Sequence, residues 1–226
     1  LTSGKNQVDT LIKSARAIEK VAQDYLNQIS SLQTRDFTDT AVIQQVSNQS
    51  LALIRDALLQ LNDNGEYVWG GNLNTSPPVG EDLTDPNYYI GSMDNIELII
   101  NPSDTSNKVP MTETANHQAI SAAIDMIKEG ANSNWEDAEA KGKIALESLR
   151  SLVYNLGLRY ERIDTLQDIQ KDLYASLKES YEDSIVMSVE DLIENTGNIS
   201  ALEDSKLFSS MLQQQLRESR RSLFNL

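Results

Sequence analysis

From Val8 onward, apolar residues return every seven positions: Val8, Ala15, Ala22 and Ile29 in one register, and Leu11, Ile18, Tyr25 and Leu32 in the other. An unbroken heptad pattern of this length predicts a helix with one narrow apolar seam, meeting few neighbours. Thr34-Arg35-Asp36-Phe37-Thr38 interrupts it. A second helix then carries Ile43, Val46, Leu51, Ile54, Leu58 and Leu61, and Asn62-Asp63-Asn64-Gly65 should stop it, with glycine as the left-handed cap. From Tyr67 to about Pro110 the pattern changes, because all 5 prolines fall there and exclude a long helix. Tyr67–Trp69, Tyr88–Ile90 and Ile96–Ile100 read as short strands between turn residues. A modest helix opens at Thr112, holds Ala119, Ile120, Ala123, Ile124 and Ile127, and stops at Gly130.

A third long helix is predicted from Trp135 to about Lys178. Leu149, Leu156, Ile163 and Leu177 share one register, and Leu152, Leu166 and Leu173 share the other, with Arg159 and Gln170 as polar exceptions. Its length, roughly 65 Å at 1.5 Å per residue, exceeds the width of a compact domain of this size. A weak break at Asn195-Thr196-Gly197-Asn198 precedes a last amphipathic segment. The expected fold is therefore mainly α: an elongated antiparallel helical bundle or coiled-coil rod with a small β-rich insertion. Residues 1–66 and 131–200 form the rod, 67–130 the outer insertion with one short helix, and 201–226 a C-terminal assembly helix.

Charge and composition narrow the chemistry. Of 226 residues, 34 are acidic and 19 basic, a formal charge of -15 that repels phosphate backbones and anionic lipid; neither nucleic acid nor membrane is an expected partner. No cysteine is present, so disulfides, thiolate metal sites and thiol nucleophiles are excluded. The lone histidine, His117, reads as an ordinary surface or half-buried residue, since a metal site or triad around it would need only carboxylates and hydroxyls. Asp63-Asn64-Gly65 resembles the middle of a calcium loop but lacks the closing glutamate, and a helix stop accounts for it. The acid pairs Glu81-Asp82, Glu182-Asp183 and Glu190-Asp191 read as solvated faces. No catalytic, metal or cofactor site is expected.

What remains is the apolar stripe near the chain end: Leu202, Leu207, Phe208, Met211, Leu212, Leu216, Leu223 and Phe224. It either folds back on the rod or waits for a partner as an association surface.

The stretch GEYVWGGNLNTSPPV, residues 65–79, follows a helix ending in Leu61-Asn62. It resembles the hook-filament junction (hook-associated) proteins of the bacterial flagellin family, in which the helix before the outer domain ends in a tyrosine, an aromatic and a glycine pair, then a threonine and prolines. Tyr67, Trp69, Gly70, Gly71, Thr75, Pro77 and Pro78 carry the likeness. Leu156-Gly157-Leu158-Arg159 with Arg162-Ile163 is similar to the leucine-glycine pattern on the C-terminal helix of flagellins and their junction relatives, and Ser222-Leu223-Phe224-Asn225-Leu226 to the junction proteins' terminus.

The resemblance implies a non-enzymatic structural subunit, exported without a cleaved signal and located outside the cell. It would assemble with copies of itself, with a neighbouring hook-associated protein and with flagellin, and an export chaperone would bind its C-terminal helix. Leu202, Phe208, Met211, Leu212, Leu216, Leu223 and Phe224 would form the assembly interface. The family's first assembly helix pairs with the last one, whereas this chain opens in what resembles the next helix; a trimmed or atypical N-terminus is expected. Filament flagellin and, from another class, a helical-bundle adaptor or sensor module are the alternatives.

Overall fold

The computed structural model describes residues 2–34, 40–101, 104–194, 209–210 and 213. Its elements are α1 (Thr2–Thr34), α2 (Thr40–Leu58), β1 (Glu97–Asn101), β2 (Asp104–Pro110), α3 (Gln118–Ala131) and α4 (Trp135–Glu194). The fold is mainly helical with one small antiparallel sheet, as the pattern predicts. The chain divides into two compact units, Leu1–Ile169 and Gln170–Leu226.

In the first unit the α1 seam is the centre of the core. Every predicted seam residue from Val8 to Ile29 is buried, and Leu32 is half-buried. The seam meets more neighbours than its narrowness suggests. α1 packs against α2 and α3, and it runs antiparallel to α4, with Lys5 paired to Asp164 and Glu19 accepting from Arg150 at 3.1 Å. Small side chains at Ser14, Ala15 and Ala22 let several partners approach at once. The core is continuous from α1 through Ile54 and Leu58 of α2, Ile120, Ile124 and Ile127 of α3, and Leu149, Leu152 and Leu156 of α4. Val68, Trp69, Val79, Leu83 and Tyr88 from the connecting loops enter the same core.

α2 stops at Leu58, four residues before the expected end. The cause is Asn62, whose Oδ1 accepts from the backbone N–H groups of Asn64 (2.9 Å) and Glu66 (3.0 Å) and offers the chain a turn in place of the helix. Gly65 does adopt a left-handed conformation, φ 77°, but inside this turn and not as the cap. Two of the three expected strands shrink to single bridges, Leu61 with Tyr67 and Val79 with Tyr89. Pro78 beside the second bridge has no N–H to extend it. The third becomes β1, paired with β2 in the register Glu97↔Pro110, Leu98↔Val109 and Ile99↔Lys108.

α3 begins at Gln118, because His117 Nδ1 caps it by accepting from the Ala119 N–H at 3.1 Å. The preceding residues go elsewhere: Glu113 N–H donates to Val68 O and Ala115 N–H to Trp69 O. Near the other end of α3, a Cβ on Gly130 would overlap the Tyr25 hydroxyl, which bonds Ser47 Oγ (2.9 Å) and Ile127 O (3.1 Å). α4 runs to Glu194, beyond the expected Lys178, because nothing from Glu179 to Glu194 is glycine or proline. In the second unit the described residues are the end of α4 and helical residues 209, 210 and 213. The stripe residues Leu202, Phe208, Met211, Leu212, Leu216, Leu223 and Phe224 lie outside the described residues.

Candidate functional site

The stretch between residues 65 and 79 is fastened at one buried atom. Trp69 is fully buried, and its indole Nε1–H donates to Ser14 Oγ at 2.7 Å. That hydroxyl in turn donates to Ala57 O at 2.6 Å. A loop, α1 and the end of α2 thus meet at a single side chain, with every polar atom satisfied.

The glycine pair sits where three backbone segments cross. Gly70 O accepts from Ser92 N–H (3.0 Å) and Leu73 N–H (3.1 Å), and Asn72 N–H donates to Asp94 O (2.7 Å). Gly71 has φ 59°, and a Cβ there would overlap the carbonyls of Ser92 and Asp94. No other residue type fits. Tyr67 is half-buried, with its N–H on Asn74 O at 2.7 Å. Pro77 is exposed and Pro78 buried, with Pro78 O accepting from Ile90 N–H at 2.9 Å. Arg55 Nε reaches from α2 to Gly80 O at 2.9 Å and holds the far end of the stretch.

A second group ties the 111–115 segment to α4. Glu113, only 6% exposed, accepts from Arg159 Nη1 at 3.0 Å. This explains the polar residue in the α4 seam. Nearby, Lys5 pairs with Asp164 and lies 4.9 Å from the Tyr160 ring centroid; its hydrogen bond to Asp164 chiefly holds its pKa above the ordinary lysine value. The Tyr89 phenol, whose hydroxyl donates to Ser92 O, is pushed up to about 12, first by burial and then by the charge of Glu113.

Leu156 is fully buried in the core. Gly157 lies inside continuous α4, where a Cβ would meet nothing within 4 Å. The groove between α2 and residues 81–84, about 410 Å³, is lined by Arg55, Asp56, Glu81 and Asp82 among others. There Asp82 accepts from the backbone and hydroxyl of Thr84 at 2.7 and 2.6 Å, which holds its carboxyl below the usual range. That carboxylate serves a turn. His117 is committed to its helix cap, and no group of three or more potential metal-ligating side chains occurs among the described residues. Sequence reasoning passed over Ser14 and Glu113, and only the unexplained Arg159 in an apolar seam hinted at the second.

The sequence matches no family model and no curated protein. Among solved structures it is similar to FlgL of Bacillus cereus, with 13% identity and a TM-score of 0.57 over 76% of this chain and 93% of that one. It is also similar to a protein of Vibrio parahaemolyticus provisionally assigned as flagellar hook-associated, with 11% identity and a TM-score of 0.52 over 80% of this chain and 84% of the other. At these identities the likeness is one of fold. The chain has the fold of flagellar hook-associated proteins.

Proposed function

We propose that this chain is a structural subunit of the bacterial flagellum, placed at the junction between hook and filament, and that it acts by assembly and not by catalysis. The observation that carries this reading is the shared fold over 93% of FlgL from Bacillus cereus. The Trp69 stretch, whose tyrosine, aromatic and glycine pair resemble the junction proteins, supports it. Residues 1–66 and 131–200 make lateral contacts, 67–130 face outward, and Leu202, Phe208, Met211, Leu212, Leu216, Leu223 and Phe224 form the assembly interface. Its partners are further copies of itself, a neighbouring hook-associated protein and flagellin, with an export chaperone on the C-terminal segment before assembly. The subunit works outside the cell after export without a cleaved signal. No helix among the described residues is long and apolar enough to cross a membrane.

The test uses hooks isolated from the source bacterium after loss of its own junction proteins. Incubated with the full chain, they should acquire a ring of added density at the tip, seen by electron microscopy. Leu212→Asp and Leu216→Asp should abolish the ring while helicity by circular dichroism stays unchanged. Bare hook tips after incubation with the folded wild-type chain would overturn the reading.

A further inference from the structure

Met93 carries its sulfur out of a turn that is fixed on both sides. Ahead of it, Ser92 N–H donates to Gly70 O at 3.0 Å and Ser92 O accepts from the Tyr89 hydroxyl; behind it, Asp94 O accepts from Asn72 N–H at 2.7 Å. The side chain between these anchors is 65% exposed. Its Sδ accepts from Asn116 Nδ2 at 3.7 Å. Asn116 stands on equally fixed backbone, since Ala115 N–H donates to Trp69 O at 3.2 Å and His117 N–H to Thr114 O at 3.0 Å. The other two methionine side chains among the described residues are withheld from solvent. Met126 is fully buried in α3, and Met111 is half-buried, with its sulfur where a Cβ on Gly4 would go.

We infer that Met93 is a site of two-electron oxidation by peroxide, and that Asn116 receives the product. The sulfur lone pair attacks one peroxide oxygen, the O–O bond breaks, and that oxygen's proton passes to the departing hydroxide. The thioether is oxidised to a sulfoxide, and the peroxide is reduced to one water. Exposure makes the sulfur reactive, and the fixed amide beside it decides what the oxidised form does. A thioether sulfur is a weak acceptor, whereas a sulfoxide oxygen is a strong one, so a weak contact becomes a full N–H···O hydrogen bond. Oxidation here tightens the link between the turn at Met93 and the residue preceding His117, the cap of α3. The same chemistry at buried Met126 would put a polar group into the core. The site belongs to the first unit by itself, and the proposal is independent of the flagellar reading.

The test treats the full chain with limiting hydrogen peroxide and follows all five methionines by peptide mapping. Met93 should oxidise faster than Met111 and at least about tenfold faster than Met126, because reactivity follows exposure. In isotope-labelled chain oxidised at Met93, the Asn116 side-chain amide protons should move downfield in the magnetic resonance spectrum, and methionine sulfoxide reductase should move them back. Met93→Leu treated in parallel should show no such shift. Asn116→Ala, with its helicity checked by circular dichroism, should lose more in urea midpoint on oxidation than the parent chain does. Slower oxidation at Met93 than at Met111 or Met126 would overturn the site. An unmoved Asn116 amide in the oxidised chain, or an equal change in midpoint with and without Asn116, would overturn the capture of the product.

Discussion

Gly71 and Gly157 are one residue type under opposite demands. Gly71 holds a left-handed backbone with two carbonyls where a Cβ would go, while Gly157 sits in open helix. Gly71→Ala should therefore lower stability by about 2 kcal/mol or more, since strain and overlap add. Gly157→Ala should raise it by up to about 1 kcal/mol through helix propensity. Urea denaturation of both variants decides it, and equal effects would contradict this account of the crossing. The resemblance singled out both glycines without telling them apart. The difference depends on Ser92 and Asp94, which are brought to Gly71 only by the fold. Ser14 was invisible for the same reason: as a letter between seam positions it looks like any helical serine.

At the scale of elements, periodic signals were legible and pairings were not. The α1 and α4 seams could be read because an apolar repeat survives only where one face is buried throughout. β2, with the sequence DTSNKVP, has little strand propensity, and its state comes from pairing with β1. The end of α2 was misplaced because Asn62 competes for backbone donors through its side chain. The Glu113–Arg159 pair joins a loop to α4 and belongs to neither element's own pattern. Arg159→Met should cost about 3 kcal/mol, because it leaves Glu113 buried and uncompensated. Adding Glu113→Gln should recover much of that loss. The four-member cycle, measured by thermal and urea unfolding, would refute a coupled pair if the two losses simply added.

For the first unit as a whole, tyrosine burial sets the alkaline limit. Burial raises the pKa of Tyr25 and Tyr88, and that of Tyr89 reaches about 12. The folded chain thus binds the phenolic proton more tightly than the unfolded chain, whose tyrosines titrate near 10. Stability from this source is whole below about pH 10 and is lost as pH rises from there towards about 12. Urea midpoints across that range should fall less steeply for Tyr89→Phe than for the parent chain, and an unchanged slope would refute the assignment to Tyr89. The division at Ile169 left little mark in the sequence: only Gln170 interrupts the register there, and the repeat resumes at Leu173 and Leu177.

The Ser14 hydroxyl has a consequence for damage. Residues upstream of the exposed 84–87 stretch are tethered through Trp69 to that hydroxyl, and residues downstream through the Tyr88 hydroxyl to Ala115 O at 3.1 Å. A protease that severs the chain between them releases nothing: both severed ends stay moored to the interior, and the clipped molecule keeps its outline.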